Sequence, residues 1–290
     1  MSKPQKRKIH EVVKTTSKPD PFHDGYYWLL SISWVKFLTV LAVFFLGANA
    51  VFACVYLAVG GLGGIEKLDF TEAFFFSVHT IATVGYGNIH PDSLTANIVV
   101  VVEIMIGIFM IATTTGLMFA KFSRPTAKVL FSKVALINIR NGLPCFTFRV
   151  ANKRGNNIAE AQVRIAVLKK AVTKEGENIR MLFDLKPERD MTSLFTISWM
   201  VFHYIDDKSP LHNLTPKDLE EGGMRIIISL IGYDSILSQQ IHTTHIYEAK
   251  DIIWNARFKD SLVVLPSGLL HLDYANFHEW EESKEKMVTT

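Results

Sequence analysis

Cysteine is nearly absent: Cys54 and Cys145 are the only two in 290 residues, so no disulfide framework holds this chain together. Net charge is also scarce. The 31 Lys/Arg against 28 Asp/Glu leave +3, too little to argue for nucleic acid as a partner. No internal repeat, low-complexity tract or dinucleotide fingerprint is present, and no arginine recurs at every third position as a voltage sensor requires. His242 and His245 are too few for a metal site without further ligands. His203, Asp206 and Ser209 lie close in sequence, but no nucleophile elbow surrounds Ser209, and catalysis is not expected. What the chain does have is apolar mass. Mean hydropathy is +0.19 with 49% apolar and 20% charged residues, too apolar for a wholly soluble chain and too charged for one embedded throughout.

Two runs account for this. Phe37 to Val59 carries no charge and reaches about 35 Å as a helix, enough to cross a bilayer. Leu94 to Phe119 carries only Glu103. The segment between them is acidic (Glu66, Asp69, Glu72 and Asp92 against Lys67), whereas both outer flanks are basic. Two spans with both termini cytoplasmic, in an inner or plasma membrane, satisfy the positive-inside rule. The first eighteen residues, with Lys3, Lys6, Arg7, Lys8, Lys14 and Lys18, read as a basic tail rather than a signal peptide, because no apolar region follows promptly. From Val129 the pattern changes to short alternating runs such as Phe146 to Val150 and Val163 to Val167. Turn signals at Asn141-Gly142, Glu175-Gly176 and Glu221-Gly222-Gly223 separate the runs, the rhythm of a β-sandwich.

Between the spans, Asp69 followed by Glu72 signals a helix start. The helix that follows, over 71–82, is too short to span and too apolar for water, so it re-enters the membrane against protein. Thr83-Val84-Gly85-Tyr86-Gly87 comes next. Gly85 and Gly87 supply left-handed positions, so that an extended backbone can turn successive carbonyls to one side. Four such strands around an axis replace the water of a potassium ion with the carbonyls of Thr83, Val84, Gly85 and Tyr86 and the Thr83 hydroxyl. One chain supplies one strand, which predicts a homotetramer. The negative helix end near Ala82 favours a cation there. A transporter subunit would carry four such loops, and this chain has one.

These residues resemble potassium channels, and the remainder resembles the inward-rectifier potassium channels of prokaryotic type. The resemblance lies in Phe119 to Pro125, Ala151 to Ala161, Thr173 to Glu177, His203 to Leu211 and Asp251 to Trp254, and covers roughly Asp24 to His278. It implies a tetrameric α-helical membrane domain with two transmembrane helices and a re-entrant pore helix, joined to a cytoplasmic immunoglobulin-like all-β sandwich. The expected division is a basic tail (1–23), an interfacial helix (24–33), a pore domain (34–124) and a cytoplasmic domain (125–290). Within the pore domain the outer helix is about 34–59, the filter 83–87 and the inner helix about 94–122. No cofactor is implied, only K+ as permeant ion.

The resemblance also assigns roles. Ile111 stands where strongly rectifying relatives place an acid. Mg2+ and polyamines are the implied blockers, and an isoleucine predicts weak block. Phe119 matches a bulky residue at the inner-helix crossing, Glu160 a cytoplasmic acidic ring, and Gly232, Tyr233, Asp234, Ser235, Ile236 and Leu237 a second constriction. Gly107 and Gly116 are hinge positions, with tight packing against the pore helix as the alternative for Gly107. Lys36, Lys121, Arg124 and Lys128 form a cluster fit for anionic lipid, phosphoinositide in the family, or else a plain positive-inside anchor. Two positions depart from common potassium-channel usage: His79 and Asn88 stand where acids are frequent. Glu103 should face protein, and the expectation is that His79 and Glu103 meet behind the filter, the alternative being a histidine bonded only to water or backbone.

Overall fold

The computed structural model describes residues 25–264, 266, 268, 270–283 and 285. The basic tail predicted over 1–23 and Asp24 lie outside them. The chain divides at Arg124 and Pro125 into two compact units.

The membrane unit opens with α1 (Gly25–Ser31), whose Tyr26, Tyr27 and Trp28 are exposed, as suits an interfacial helix. Ser33 then caps α2 (Trp34–Val59) through its side chain to the Lys36 N–H. Asp69 caps α3 (Phe70–Ile81) by accepting from the Glu72 N–H at 2.9 Å. Ser93 caps α4 (Leu94–Phe122) in the same way through the Ala96 N–H. Both α2 and α4 have the length and hydropathy of a membrane span. Most of their surface is uncovered within one chain, and part of what they bury lies against α3: Ala53 and Tyr56 of α2 pack with Ala73 and Phe76 of α3. At 12 residues α3 is too short to span a bilayer, and it lies between the two long helices. A two-residue pairing joins β1 (Leu62–Gly63) to β2 (His90–Pro91).

The second unit is a two-sheet sandwich. Its strands are β3 (Val129–Phe131), β4 (Ala135–Arg140), β5 (Leu143–Asn152), β6 (Ile158–Val172), β7 (Asn178–Leu185), β8 (Met191–Phe195), β9 (Ser198–Tyr204), β10 (Arg225–Asp234), β11 (Gln239–Glu248) and β12 (Ile252–Trp254), with the short α5 (Pro216–Glu221) before β10. One sheet runs β11-β10-β6-β7 with β8 on β6, and the other β12-β4-β5-β3 with β9 on β5. All of these pairings are antiparallel except β12 with β4. Alternate residues meet in the core: Val163, Ile165 and Val167 of β6, Ile226, Ile228 and Leu230 of β10, and Phe146, Phe148 and Val150 of β5. Strand β5 departs from the alternation its sequence suggests, since Thr147 and Arg149 are buried as well. The outer face of β5 at Arg149 is covered by residues 258–261. Arg149 donates to Ser261 Oγ at 3.1 Å and to the Lys259 carbonyl, and its guanidinium sits 4.6 Å from the Phe258 ring. Desolvation there lowers the guanidinium pKa to about 10, which still leaves it charged.

Candidate functional site

The segment after α3 is bound to the helix it leaves. Thr83 N–H donates to the Thr80 carbonyl at 3.0 Å, and the N–H groups of Val84 and Gly85 both reach the His79 carbonyl, at 2.8 and 3.3 Å. Backbone φ is positive at Thr83 (56°), Gly85 (57°) and Gly87 (83°), every second residue. Glycine pays nothing for that geometry, but Thr83 does, because a β-branched residue in the left-handed region is rare. Sequence reading found the two glycines and missed Thr83. Among the described residues, no hydrogen bond is donated to the carbonyls of Thr83, Val84, Gly85 or Tyr86. The stretch Thr83 to Asn88 is exposed within one chain.

Behind it lies a buried polar cluster whose membership differs from expectation. Glu103, fully buried, accepts from Tyr56 Oη at 2.5 Å through Oε2 and lies 2.5 Å from Ser77 Oγ through Oε1. Ser77 Oγ is also 3.0 Å from Asn49 Oδ1, and Asn49 Nδ2 donates to the Phe45 carbonyl at 2.7 Å. The cluster ties α2, α3 and α4 together. The expected meeting of His79 and Glu103 is therefore corrected: Tyr56 and Ser77 occupy both carboxyl oxygens. His79 instead stacks on Phe75 and receives the edge of Tyr86, with ring centroids 4.8 Å apart. Histidine and carboxyl lie on different faces of α3 because Ser77 and His79 are two residues apart on that helix, about 200° around it. Tyr56, Ser77 and Asn49 were not singled out from sequence. The available signal was polarity inside otherwise apolar helices.

The glycines at 60–64 do more than turn the chain. A Cβ on Gly64, where φ is +83°, would fall 1.9 Å from the Asn88 carbonyl oxygen. Asp92 N–H donates to the Gly61 carbonyl at 2.8 Å. The turn thereby holds the backbone that leaves Gly87, and Asn88 takes part through its main chain.

On α4, Ile111 and Phe119 lie on one face and are exposed within the chain. Gly107 is buried on the backbone of Ile81, whereas nothing lies within 4 Å of a Cβ built on Gly116. Lys121 departs most from its predicted role. Its Nζ donates to the carbonyls of Leu29, Leu30 and Ile32 at 3.3, 3.2 and 2.8 Å and faces the rings of Trp34 and Phe37, leaving it 8% exposed. All three ammonium donors are thus engaged at the C-terminal end of α1, where unpaired carbonyls attract a cation. Arg124 also reaches the Leu30 carbonyl, at 3.4 Å, but stays exposed, as do Lys36 and Lys128.

In the sandwich unit, Glu160 has φ +49° and sits in a bulge. The β6–β10 register slips between Ile231 and Tyr233, and a Cβ on Gly232 would fall 2.5 Å from Ile158 Cγ2. One bulge therefore both aims Glu160 and starts the 232–237 segment. Asp234 organises that segment. Its buried carboxylate accepts from the Ile236 and Leu237 N–H groups at 3.0 and 3.1 Å and pairs with Arg154 at 3.3 Å. Tyr233, Ser235, Ile236 and Leu237 are exposed. His203 and Ser209 do meet, at 2.8 Å, but His203 Nδ1 faces the Lys186 carbonyl and Asp206 accepts from the Lys208 N–H, so no acid orients the imidazole.

A family model described as "Inward rectifier potassium channel C-terminal domain" matches residues 129–290, and one described as "Ion channel" matches residues 36–124. The chain is 38% identical over 259 residues to "Inward rectifier potassium channel Kirbac3.1" of Paramagnetospirillum magnetotacticum, covering 88% of this chain and 87% of that one. It is 28% identical over 282 residues to the human "Inward rectifier potassium channel 18", covering 89% of this chain and 65% of the relative. It is 30% identical over 278 residues to the mouse "G protein-activated inward rectifier potassium channel 3", covering 87% and 68%.

Proposed function

The chain belongs to the inward rectifier potassium channel family, and from that premise we propose which of its residues conduct, gate and respond to lipid. The protein is a membrane-borne potassium channel, of a family that is an ion channel and not a class of enzyme. Thr83, Val84, Gly85, Tyr86 and Gly87 form the selectivity filter, and four chains assemble it. The observation that carries this reading is the alternation of left-handed backbone at Thr83, Gly85 and Gly87, with the Val84 and Gly85 N–H groups drawn back to His79. In such a strand the carbonyls are free to replace the hydration shell of K+, and ions in adjacent sites repel one another onward, so that K+ passes down its own gradient.

His79 supports the filter by packing on Tyr86, and Asn88 by its backbone beside Gly64. Phe119 narrows the crossing of inner helices, and the 232–237 segment forms a second constriction. Glu160, aimed by its bulge, adds an acidic ring that concentrates cations. Ile111 leaves the cavity without a carboxylate, so block by Mg2+ or polyamine there is weak. Anionic lipid acts through Lys36, Arg124 and Lys128 rather than Lys121. Both termini lie in the cytoplasm of a cell with the channel in its plasma membrane.

Rubidium flux into liposomes holding purified protein tests the core of this, with sodium and barium controls and with anionic lipid varied. Flux selective for rubidium and blocked by barium is expected. Gly85→Ala, forced into a left-handed conformation, should abolish selectivity or flux. Unchanged selective flux in that variant would remove the filter assignment.

A further inference from the structure

The buried cluster behind the filter can be counted in protons. Three oxygen–oxygen contacts link it: Tyr56 Oη to Glu103 Oε2 at 2.5 Å, Glu103 Oε1 to Ser77 Oγ at 2.5 Å, and Ser77 Oγ to Asn49 Oδ1 at 3.0 Å. Each contact needs one hydrogen, because two bare oxygens at that range repel. Tyr56 and Ser77 supply one hydroxyl hydrogen each. Asn49 supplies none, since its amide is oriented by Nδ2 donating to the Phe45 carbonyl at 2.7 Å. Turning the amide over would set Oδ1 against that carbonyl oxygen and leave both without a hydrogen. One hydrogen is missing, and Glu103 is the remaining group able to carry it.

We infer that Glu103 is a protonated, neutral carboxylic acid in the resting channel, and that with Tyr56, Ser77 and Asn49 it forms a directional chain that positions α3. In that chain Tyr56 donates to Oε2, the Oε1 proton goes to Ser77, and Ser77 donates to Asn49 Oδ1. Every oxygen is then satisfied. With an ionised Glu103, Ser77 could serve either the carboxylate or Asn49, and one buried acceptor would be left open. The groups that touch Glu103 agree with neutrality: Tyr56 comes from α2 and Ser77 from α3, neither is a cation, and Asn49 behind Ser77 is uncharged. Among the described residues no basic side chain forms an ion pair with Glu103. An unpaired carboxylate at this burial inside a membrane helix would be costly, and the proton removes that cost.

The consequence concerns the filter. Ser77 precedes His79 by two residues, and the His79 carbonyl holds the Val84 and Gly85 N–H groups. A neutral brace that pins α3 to both spans fixes that carbonyl without placing a negative charge beside the ion path. The four residues are positioning residues, and their role here rests on reading α3 as the pore helix.

Infrared spectroscopy of the full-length protein in lipid at neutral pH tests the protonation itself, whether or not ions pass. The expected result is a carboxylic acid C=O band that shifts down in D2O and disappears in Glu103→Gln. Glutamine reproduces the hydrogen pattern, with Oε1 accepting from Tyr56 and Nε2 donating to Ser77. Glu103→Gln should therefore retain wild-type rubidium flux and selectivity, while Ser77→Ala loses heat resistance and flux. The inference is overturned if no such band depends on Glu103. It is equally overturned if Glu103→Gln loses flux while the charge-keeping Glu103→Asp retains it. Failure of the filter assignment would show separately, as selective flux surviving Gly85→Ala.

Discussion

Alanine at Gly107 separates a hinge from a packing contact, and alanine at Gly116 provides the control on the same helix. A Cβ on Gly107 would lie 3.3 Å from both the Cα and the carbonyl oxygen of Ile81 and 3.4 Å from its Cγ2. The nearest atoms are backbone, which yields less readily than the end of a side chain. Forcing a methyl into such a contact typically costs about 1–3 kcal/mol. Alanine in a helix interior returns about 1 kcal/mol over glycine. Gly107→Ala should therefore be destabilising by a net ~0–2 kcal/mol, from the difference of those two effects. At Gly116 no atom lies within 4 Å of the built Cβ, and only the favourable helix effect remains. The two variants should thus differ in stability by about 1–3 kcal/mol, with Gly107→Ala the weaker. Thermal melting of both proteins in the same detergent reads this difference. Rubidium-over-sodium selectivity supplies a second measure, because Ile81 stands two residues before Thr83 and any shift of α3 reaches the proposed filter. If Gly107→Ala melts with or above Gly116→Ala and its selectivity is intact, the close contact at Ile81 is not what demands glycine there.

Lys121→Met keeps an apolar stem against Trp34 and Phe37 but removes the ammonium from three carbonyls. Loss of such charge-assisted bonds should lower melting stability by about 2 kcal/mol. Dependence of flux on anionic lipid should persist in this variant and weaken in Lys36→Gln or Lys128→Gln; the reverse pattern would return Lys121 to the lipid site. Burial pushes the His203 imidazole below its ordinary pKa, the Lys186 carbonyl partly opposing it. The folded state therefore favours neutral histidine. The contribution is present above about pH 6.5, the unfolded value, and is lost as pH falls toward the depressed folded value. Melting temperature should drop between pH 7.5 and 5.5 more steeply in the wild type than in His203→Gln, and equal slopes would exclude His203 as the source.

Much of this protein was legible in one dimension because the forces involved act locally or by composition. A bilayer demands long apolar runs whose backbone bonds close within each helix, so α2 and α4 could be read from hydropathy alone. The cap at Asp69 is a contact between residues three apart, and the period of two in β6 and β10 follows from the pleat. The left-handed backbone at Gly85 and Gly87 was equally readable, because glycine there answers a purely conformational need, whereas that at Thr83 was not.

Tertiary structure decided which polar groups share a buried site. Glu103 was visible as the one acid in its span, but Tyr56, Ser77 and Asn49 reach it only when three helices cross, and their order along the chain carries no trace of that. Lys121 read as a lipid ligand because a basic residue at a helix end looks alike whether the anion is a phosphate or another helix's carbonyls. Its place at α1 depends on the chain closing across a sequence separation of 92. Strand β5 read as half-exposed until the segment near Phe258 covered Arg149. Gly232 read only as one end of a second constriction until the β6 bulge filled its Cβ space with Ile158. In each case the deciding term is the desolvation of a polar group, or the volume left for a side chain, by residues remote in sequence.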